Sequence, residues 1–271
     1  MKRIFLYLVL IFIIKSPTKA NEEQNWSVSL IPSELLSQAN AVIRNYEKTF
    51  TISAEGGVEE NVEIAKTILN ENGNDYSLLV EFYDKFSSIS GLSGTVYDKN
   101  GKKIRKIPYN EIYDISAISG FSIYEDSRVK IMDPKVGNYP YTVVYSFKRK
   151  YKSLLTLPGF FIYPDYNISV QKTTYKIILE QGAKIKYKGN EKFSLKPITT
   201  SEVDGRTTFI WNVTNQKAIE QEPLSESFLD FTPFLQIAPE KFKMEEYDGF
   251  NTNWEEFGSW IFKLSKGKEE L

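Results

Sequence analysis

The fold is indicated most clearly by the stretch Tyr141-Thr-Val-Val-Tyr-Ser-Phe-Lys148, in which a large apolar residue occupies every second position. Alternate side chains of a β-strand point to opposite faces, so a period of two predicts a strand with one face packed on a core. The stretch Ala183-Lys-Ile-Lys-Tyr-Lys188 alternates apolar and cationic residues in the same way. We therefore expect half-buried strands whose polar faces contact water.

Turn signals separate further strands of the same kind. Asn100-Gly101 and Asp204-Gly205 each lie between two alternating stretches, and Gly56-Gly57 lies between two more. Such residues tolerate positive φ and favour hairpin turns. Strand signals recur in this way over residues 40–215 and predict an all-β fold, an antiparallel β-sandwich. We expect its core to include Tyr141, Val143, Tyr145, Phe147, Ile185, Tyr187, Phe209, Trp211 and Val213.

A short helix is predicted near the C-terminus. Asn253 is placed to cap it, and acidic residues follow in the first turn, where they favour a helix. The helix carries one apolar stripe, made by Trp254, Phe257, Trp260, Ile261 and Leu264. We expect this helix to dock on the sandwich through Trp254, Phe257 and Trp260. The alternative is that the stripe is a docking surface for a partner.

The first twenty residues have the layout of a secretory signal peptide. Lys2 and Arg3 precede an apolar run over Ile4–Ile14, and Thr18-Lys-Ala20 offers small residues for cleavage. A membrane anchor is the competing interpretation, but eleven residues make only about 16 Å of helix against roughly 30 Å of hydrocarbon. We expect export to the periplasm or the medium, with cleavage near Ala20 and a soluble mature chain.

The predicted domain organisation follows from these signals. Residues 1–20 form the signal peptide, residues 21–252 the sandwich, residues 253–264 the C-terminal helix and residues 265–271 a tail. Within the sandwich domain, the segment Pro32–Leu36 is compatible with a short N-terminal helix capped by Ser33.

The charge balance excludes an electrostatic footprint for nucleic acid. Loss of the signal peptide lowers the 34 basic residues to 30, against 35 acidic ones, a net charge of −5. Such a mixed, mildly acidic surface predicts neither nucleic acid nor membrane as a partner of the mature chain. Lys148-Arg-Lys150 with Lys152 is the tight basic cluster. We interpret it as a solvated strand end or as charges that protect a sheet edge, and less readily as a phosphate site.

The chain contains neither cysteine nor histidine. This excludes thiol nucleophiles, thiolate metal sites, disulfides and every catalytic triad that needs an imidazole. Neighbouring carboxylates occur at Glu220-Gln-Glu222 and at Glu245-Glu246, but a glycosidase needs two carboxyl groups placed across a scissile bond. We interpret these residues as surface, and we predict no catalytic residue, no metal and no cofactor. A carboxylate-dependent glycan-acting enzyme stays open as the alternative.

An aromatic segment, Pro158–Tyr166, is the best candidate for ligand binding. Its loop-like sequence carries Phe160, Phe161, Tyr163 and Tyr166, which together resemble a platform on which a glycan or a peptide stacks. The competing interpretation is that these rings cover the open end of the sandwich. We favour that structural role and keep the four residues as binding candidates.

Several segments, in their order, resemble the family called domain of unknown function 3857. The central one is Trp211-Asn-Val with Ala218 and Glu222-Pro223, followed by residues 228–239 and by Trp254-Glu-Glu-Phe-Gly-Ser-Trp260. Upstream, the Asp98–Ile104 hairpin and residues 126–134 are similar to earlier parts of that family. The resemblance covers roughly residues 30–262.

The resemblance implies a context for the chain. Members of this family are usually exported bacterial proteins in which the sandwich precedes a transglutaminase-like core that carries Cys, His and Asp. Because this sequence has no Cys and no His, no catalytic residue can be assigned from the family to any of its positions. We expect a non-catalytic module that binds a peptide or a glycan, or that supports a transglutaminase-like catalytic chain. The remnant of a truncated transglutaminase-like protein is a further alternative.

Overall fold

A computed structural model of the chain describes residues 25–117, 126–152, 154–190, 196–244 and 247–267. The predicted signal peptide and the Glu245-Glu246 pair lie outside the described residues. The helices are α1 (Phe228–Phe231) and α2 (Trp254–Ser265). The strands are β1 (Ala41–Ile52), β2 (Val58–Ile68), β3 (Leu79–Tyr83), β4 (Ser87–Tyr97), β5 (Lys103–Lys106), β6 (Tyr113–Ser116), β7 (Arg128–Met132), β8 (Tyr141–Tyr151), β9 (Phe160–Phe161), β10 (Ile168–Leu179), β11 (Ile185–Gly189), β12 (Thr199–Val203), β13 (Arg206–Gln216), β14 (Phe234–Pro239), β15 (Lys241–Met244) and β16 (Tyr247–Phe250).

One large sheet organises the fold, in the order β12-β13-β10-β1-β2-β8-β4-β5. Its neighbouring strands are antiparallel except for β1 and β10, which run parallel from Ala41–Ile168 to Ile52–Leu179. The predicted antiparallel pairing therefore holds for the other neighbouring strands, and β1 with β10 is a parallel exception. Alternation along a strand reports which face is buried, but it carries no information about the direction of the neighbouring strand.

Two small sheets form the second layer, in the orders β3-β7-β6 and β11-β14-β9. The first packs on the large sheet through Leu79 and Met132, and the second through Leu235 and Ile237. The buried apolar residues form two separate main clusters, one under each small sheet. The predicted all-β sandwich is confirmed.

Most of the predicted core residues are buried. Tyr141, Val143, Tyr145, Phe147 and Trp211 are each at most 3% exposed, as predicted, whereas Ile185, Phe209 and Val213 are partly buried against the second cluster. Tyr187 was expected in the core, and this was wrong, because 41% of it is exposed. Its strand belongs to a small covering sheet, where one side of the ring packs on Trp211 and the other side faces an open groove.

The predicted hairpin turns are present. β4 and β5 are joined through the Asp98–Gly101 turn, and Gly101 has φ +82°. β12 and β13 are joined by Asp204 and Gly205, both with positive φ, directly between the paired residues Val203 and Arg206. The sequence signal was reliable here because positive φ strongly restricts which residues fit.

The N-terminal segment covers part of the other face of the large sheet. It contains a short 3-10 turn at Ser33–Leu35, so Ser33 begins the predicted helix and Pro32 occupies the capping position, with no side-chain cap. Leu35 packs with Ile31 and Val42 in a third, small apolar cluster. The expected cap by Ser33 was therefore wrong.

The basic cluster on β8 does not protect an edge, because β8 lies between β2 and β4 inside the large sheet. Lys148 is exposed, whereas the intervening Arg149 points to the core face and is only 11% exposed. Lys150, at 69%, is paired with Glu59 on the outer face. Strand alternation thus divides one run of cations between solvent and core.

A hairpin of β15 and β16 connects α2 to the rest of the fold. The ring of Phe242 lies so close to Gly249 that a Cβ at this glycine would meet it at 2.3 Å. The backbone of the same hairpin lies against Gly56 in the turn between β1 and β2. None of the helices in the described ranges is long and apolar enough to cross a membrane.

Candidate functional site

A charged network lies on the core face of the large sheet, between the two main apolar clusters. The inward positions of β2 are Val58, Glu60, Val62, Ile64, Lys66 and Ile68, so two charged residues stand where the pattern calls for apolar ones. Glu60 is 1% exposed. Buried charges are rare unless they are paired, which makes these two positions the first place to look for function.

Arg149 is the centre of the network. Its Nη2 lies 2.5 Å from Oε2 of Glu81 on β3, and its Nη1 lies 3.5 Å from Oε2 of Glu60. The hydroxyl of Tyr151 donates to the same Glu60 oxygen at 2.8 Å and accepts from Arg149 Nη1 at 3.1 Å. Lys48 Nζ lies 3.5 Å from the other Glu60 oxygen. The network therefore joins β1, β2 and β8 of the large sheet to β3 of the covering layer.

Pairing keeps the cations of this network charged. Burial by itself lowers the pKa of Arg149, but Tyr151 and Glu81 reverse this effect and the net shift is upward. Burial also lowers the pKa of Lys48, but Tyr46, Glu60 and Glu81 together outweigh it, so the pKa of Lys48 lies above its ordinary value. Burial raises the pKa of Glu81, and Arg149 acts against that shift.

Lys66 lies on the same face but outside the network. Its Nζ donates to the carbonyl oxygen of Leu78 at 2.9 Å and lies 5.8 Å from the centre of the Tyr145 ring. Among the described residues, no carboxylate lies within 4 Å of it. Burial lowers the pKa of Lys66 to about 8, with Glu81 acting in the opposite direction.

Three cavities meet around Phe161. The Lys66 cavity, of about 310 Å³, lies between β3 and the Phe161–Pro164 segment, with Lys66, Glu81 and Thr173 in its lining. The Lys48 cavity, of about 390 Å³, lies on the other side of that segment and includes Tyr46 and Lys48. An outer groove of about 620 Å³ runs along β11 and β14.

The four predicted binding aromatics have different environments. Phe160 is 3% exposed and packs on Tyr175 in the core, with ring centres 5.0 Å apart, so it is not a surface residue. Tyr163 and Tyr166 are half-buried and contact Phe228 of α1 edge-on. These three rings support the covering role that we favoured.

Phe161 is the exception among the four. Its ring is 41% exposed, lies 5.8 Å from the ring of Phe234, and lines all three cavities. Strand alternation explains the difference, because Phe160 points into the sandwich and its neighbour points out of it. Of the aromatic segment, Phe161 is thus the residue best placed to contact a ligand.

The three aromatic residues predicted to dock α2 also differ in their burial. The helix begins as expected, with Asn253 Oδ1 accepting from the backbone N–H of Glu256 at 2.8 Å. Trp260 is 5% exposed and meets Phe242 edge-on at 4.8 Å, and Phe257 stacks on Trp260 at 5.7 Å. Trp254 was expected to be buried with them, and this was wrong, because it is 87% exposed. It occupies the first turn of the helix, where its ring lies 6.2 Å from the ring of Phe257.

Of the neighbouring carboxylates, Glu220 and Glu222 lie on the surface. Glu220 accepts a hydrogen bond from Gln38 at 3.0 Å. Within the described ranges, no three acidic side chains are close enough together to hold a metal ion. The buried pair Glu60 and Glu81 was missed by the sequence analysis. The signal was available, because Glu60 falls in the apolar phase of β2.

The family model of a domain of unknown function with a solved structure, DUF3857, matches residues 54–220. The chain belongs to the DUF3857 family. The matched range contains Glu60, Glu81 and Arg149 of the charged network, Lys66 and the aromatic segment. Lys48 and the later segments around residues 228–239 and 254–260 lie outside it. A search of curated proteins gave no match.

A solved structure shares the fold, and another aligns only weakly. A protein from Parabacteroides distasonis ATCC 8503, described as a putative protease, aligns with a TM-score of 0.62 and 16% identity over 73% of this chain. An M1 zinc metallopeptidase from Deinococcus radiodurans aligns with a TM-score of 0.34 and 11% identity. The alignment covers 73% of this chain and 42% of the metallopeptidase. This DUF3857 chain spans 40% of the length of the Parabacteroides protein.

Proposed function

We propose that this DUF3857 chain is a non-catalytic, exported sandwich module that supports a transglutaminase-like catalytic partner, and that the partner docks on α2. The observation that carries the proposal is the exposed apolar stripe of this helix. Trp254 and Ile261 are 87% and 46% exposed, and Phe262 beside them is 61% exposed. Residues seven apart lie on the same side of a helix, so Trp254 and Ile261 form one continuous surface.

The support of α2 is what makes this stripe usable for docking. Trp260 anchors the helix on Phe242, and Asn253 caps its first turn. A helix of twelve residues is marginal in isolation, so this anchoring is needed to hold its outer side in a fixed position. An exposed Trp on the same side of a helix as a second exposed apolar residue is typical of a protein interface.

Two further observations support the proposal. The alignment with the Parabacteroides protein covers only 40% of that protein, which is described as a putative protease. The present sequence lacks the Cys and His that a transglutaminase-like reaction needs, and in this proposal the partner supplies them. The carboxylates Glu60 and Glu81 are both bound to Arg149, which suits a structural role better than the acid and base of a glycan-acting enzyme.

A photo-crosslinking experiment in native cells tests this function. Benzoylphenylalanine replaces Trp254 on the stripe or, as the control, Lys263 on another side of the same helix. We expect a crosslink from position 254 to a chain whose mass spectrum identifies a transglutaminase-like domain, and none from position 263. Crosslinks from both positions, or from position 254 only to other classes of protein, would contradict the proposal.

Two tryptophan variants separate docking from folding. Trp254→Ala should leave the melting temperature unchanged while abolishing association with the identified partner, because the ring contacts little of its own chain. Trp260→Ala should lower the free energy of unfolding by roughly 3 kcal/mol, because it removes a buried ring. If both variants still bind the partner, α2 is not the docking surface.

A further inference from the structure

The Lys66 cavity has the size and shape of a small ligand site. Its volume of about 310 Å³ lies near the lower end of the range of known ligand pockets, roughly 300–1,000 Å³. Apolar side chains dominate the lining, including Ile43, Val62, Ile64, Leu79 and Ile162. Lys66 and Thr173 are polar groups of this lining, which also includes Tyr46, Asp75, Tyr76 and Glu81, the last of them paired with Arg149.

The first of these polar groups has unused donor capacity. An ammonium group has three N–H donors, and Lys66 uses one of them on the carbonyl of Leu78. A buried cation is costly unless an anion or several acceptors surround it. The lowered pKa of Lys66, about 8, reflects this incomplete solvation. An incoming carboxylate would supply both the charge and the missing acceptors.

The second polar group is unsatisfied. Thr173 is 1% exposed, and its Oγ1 has no hydrogen-bond partner among the described residues. Buried hydroxyl groups nearly always have a partner. Thr173 lies on β10 and Lys66 on β2, with β1 between them, so the two groups are in different parts of the lining. A single ligand that contacts both groups would therefore need a carboxylate for Lys66 and a separate polar group for Thr173.

The rim of the cavity has the opposite charge to its Lys66 side. Asp75 is exposed and belongs to the lining. Tyr76 lies beside it, and burial, together with the hydrogen bond and charge of Asp165, raises the pKa of Tyr76 to about 12. Two carboxylates near the entrance disfavour a ligand that is purely anionic, such as a fatty acid, and favour one that also carries a positive charge.

We infer that the Lys66 cavity binds the C-terminus of a short peptide that ends in an apolar residue. The carboxylate pairs with Lys66, the apolar side chain contacts the aliphatic lining, and the peptide group is the partner for Thr173. The free amine of the peptide faces Asp75 at the rim. This site is separate from the α2 stripe, so the peptide-binding inference does not depend on the proposed partner docking.

Titration of the purified mature chain with the dipeptide Ala-Leu tests the inference, by calorimetry at pH 7. The C-terminal amide of the same dipeptide lacks the anionic end and should bind at least about tenfold more weakly. N-acetylation removes the amine and should weaken binding by about threefold. Octanoate presents a carboxylate on an apolar chain without the peptide group, and we expect it to bind more weakly than Ala-Leu.

Variants assign the binding to the cavity. Lys66→Met should weaken Ala-Leu binding by at least about tenfold, and Thr173→Val by about threefold. Lys148→Met, an exposed lysine on the other face of the sheet, is the matched control and should bind as wild type does. Circular dichroism shows that each variant is folded before titration.

Three results would overturn the inference. The first is absence of Ala-Leu binding to wild type at 10 millimolar, about the weakest affinity that a ligand site of this kind would show. The second is equal affinity for Ala-Leu and its amide, or for wild type and a folded Lys66→Met variant. The third is tighter binding of octanoate than of Ala-Leu, which would assign the cavity to fatty acids instead of peptides.

Discussion

Arg149 of β8 and Glu81 of β3 form an ion pair of 2.5 Å that joins the large sheet to the layer above it. The pair is largely buried, with 11% and 25% of the two side chains exposed. Glu60, which is 1% exposed, shares the same guanidinium group. One guanidinium group therefore pairs with two carboxylates at the boundary between the main apolar clusters, and Lys48 is the second cation beside Glu60.

Removal of Arg149 should destabilise the domain strongly. In Arg149→Met, two buried carboxylates lose their common partner, and such a loss typically costs about 3–5 kcal/mol. Urea denaturation followed by tryptophan fluorescence measures the change. Lys150→Met is the matched control, because its ion pair with Glu59 is exposed and should contribute less than about 1 kcal/mol. Similar losses in the two variants would show that burial of the pair is unimportant.

Lys66 should make stability depend on alkaline pH. Its pKa is about 8 in the folded chain and its ordinary value is 10.5, so between these values the unfolded chain binds more protons. The free energy of unfolding therefore rises with pH across this window. Lys66→Met should exceed wild type in stability at pH 7 by on the order of 1–3 kcal/mol.

Denaturation midpoints at pH 7, 8.5 and 10 test the linkage. The stability difference between Lys66→Met and wild type should narrow as the pH rises, because wild-type Lys66 becomes neutral. Lys148→Met, at an exposed position, serves as the control for a general effect of removing a lysine. A difference that stays constant over the three pH values would mean that the Lys66 ammonium is adequately solvated in the folded chain.

Trp211→Ala should be among the most damaging single substitutions. Trp211 is 1% exposed, and its ring lies 5.3 Å from Tyr187 and 6.3 Å from Tyr175. Truncation of a large buried aromatic residue costs about 3–5 kcal/mol. Thermal unfolding measures the loss. A change below about 0.5 kcal/mol is normal only for surface positions and would contradict the burial of this ring.

Export should remove the first twenty residues. The charged start, the apolar run and Thr18-Lys-Ala20 predict cleavage after Ala20. N-terminal sequencing of protein from the cell envelope should begin with Asn21-Glu-Glu-Gln. Protein that keeps residues 1–20 and stays embedded in the membrane would contradict export of a soluble chain.

The features predictable from the sequence are those decided by local geometry. The hairpin at Asp204-Gly205 and the cap at Asn253 depend on a few neighbouring residues, and both are present. Burial of Phe147 follows from alternation within one strand. The parallel pairing of β1 with β10 depends on contacts more than 120 residues apart, which no local pattern encodes.

The candidate site was harder to predict than the fold. Arg149 was interpreted as part of a surface cluster because the residues on both sides of it are lysines. Its burial depends on Glu81, which is far away in sequence and belongs to another sheet. Lys66 was overlooked for a similar reason, since its cavity exists only after β3 and the Phe161 segment come together.

The charged pair between the layers also determines how β3 is aligned. A shift of β3 by one residue would turn Glu81 outward and bring Val80 or Phe82 to the inner face. Arg149 would then face an apolar side chain, with its charge only partly compensated. The apolar contacts alone discriminate weakly between such alignments, whereas the ion pair penalises each wrong one. We therefore expect the ion pair to favour one alignment of the two layers over its neighbours.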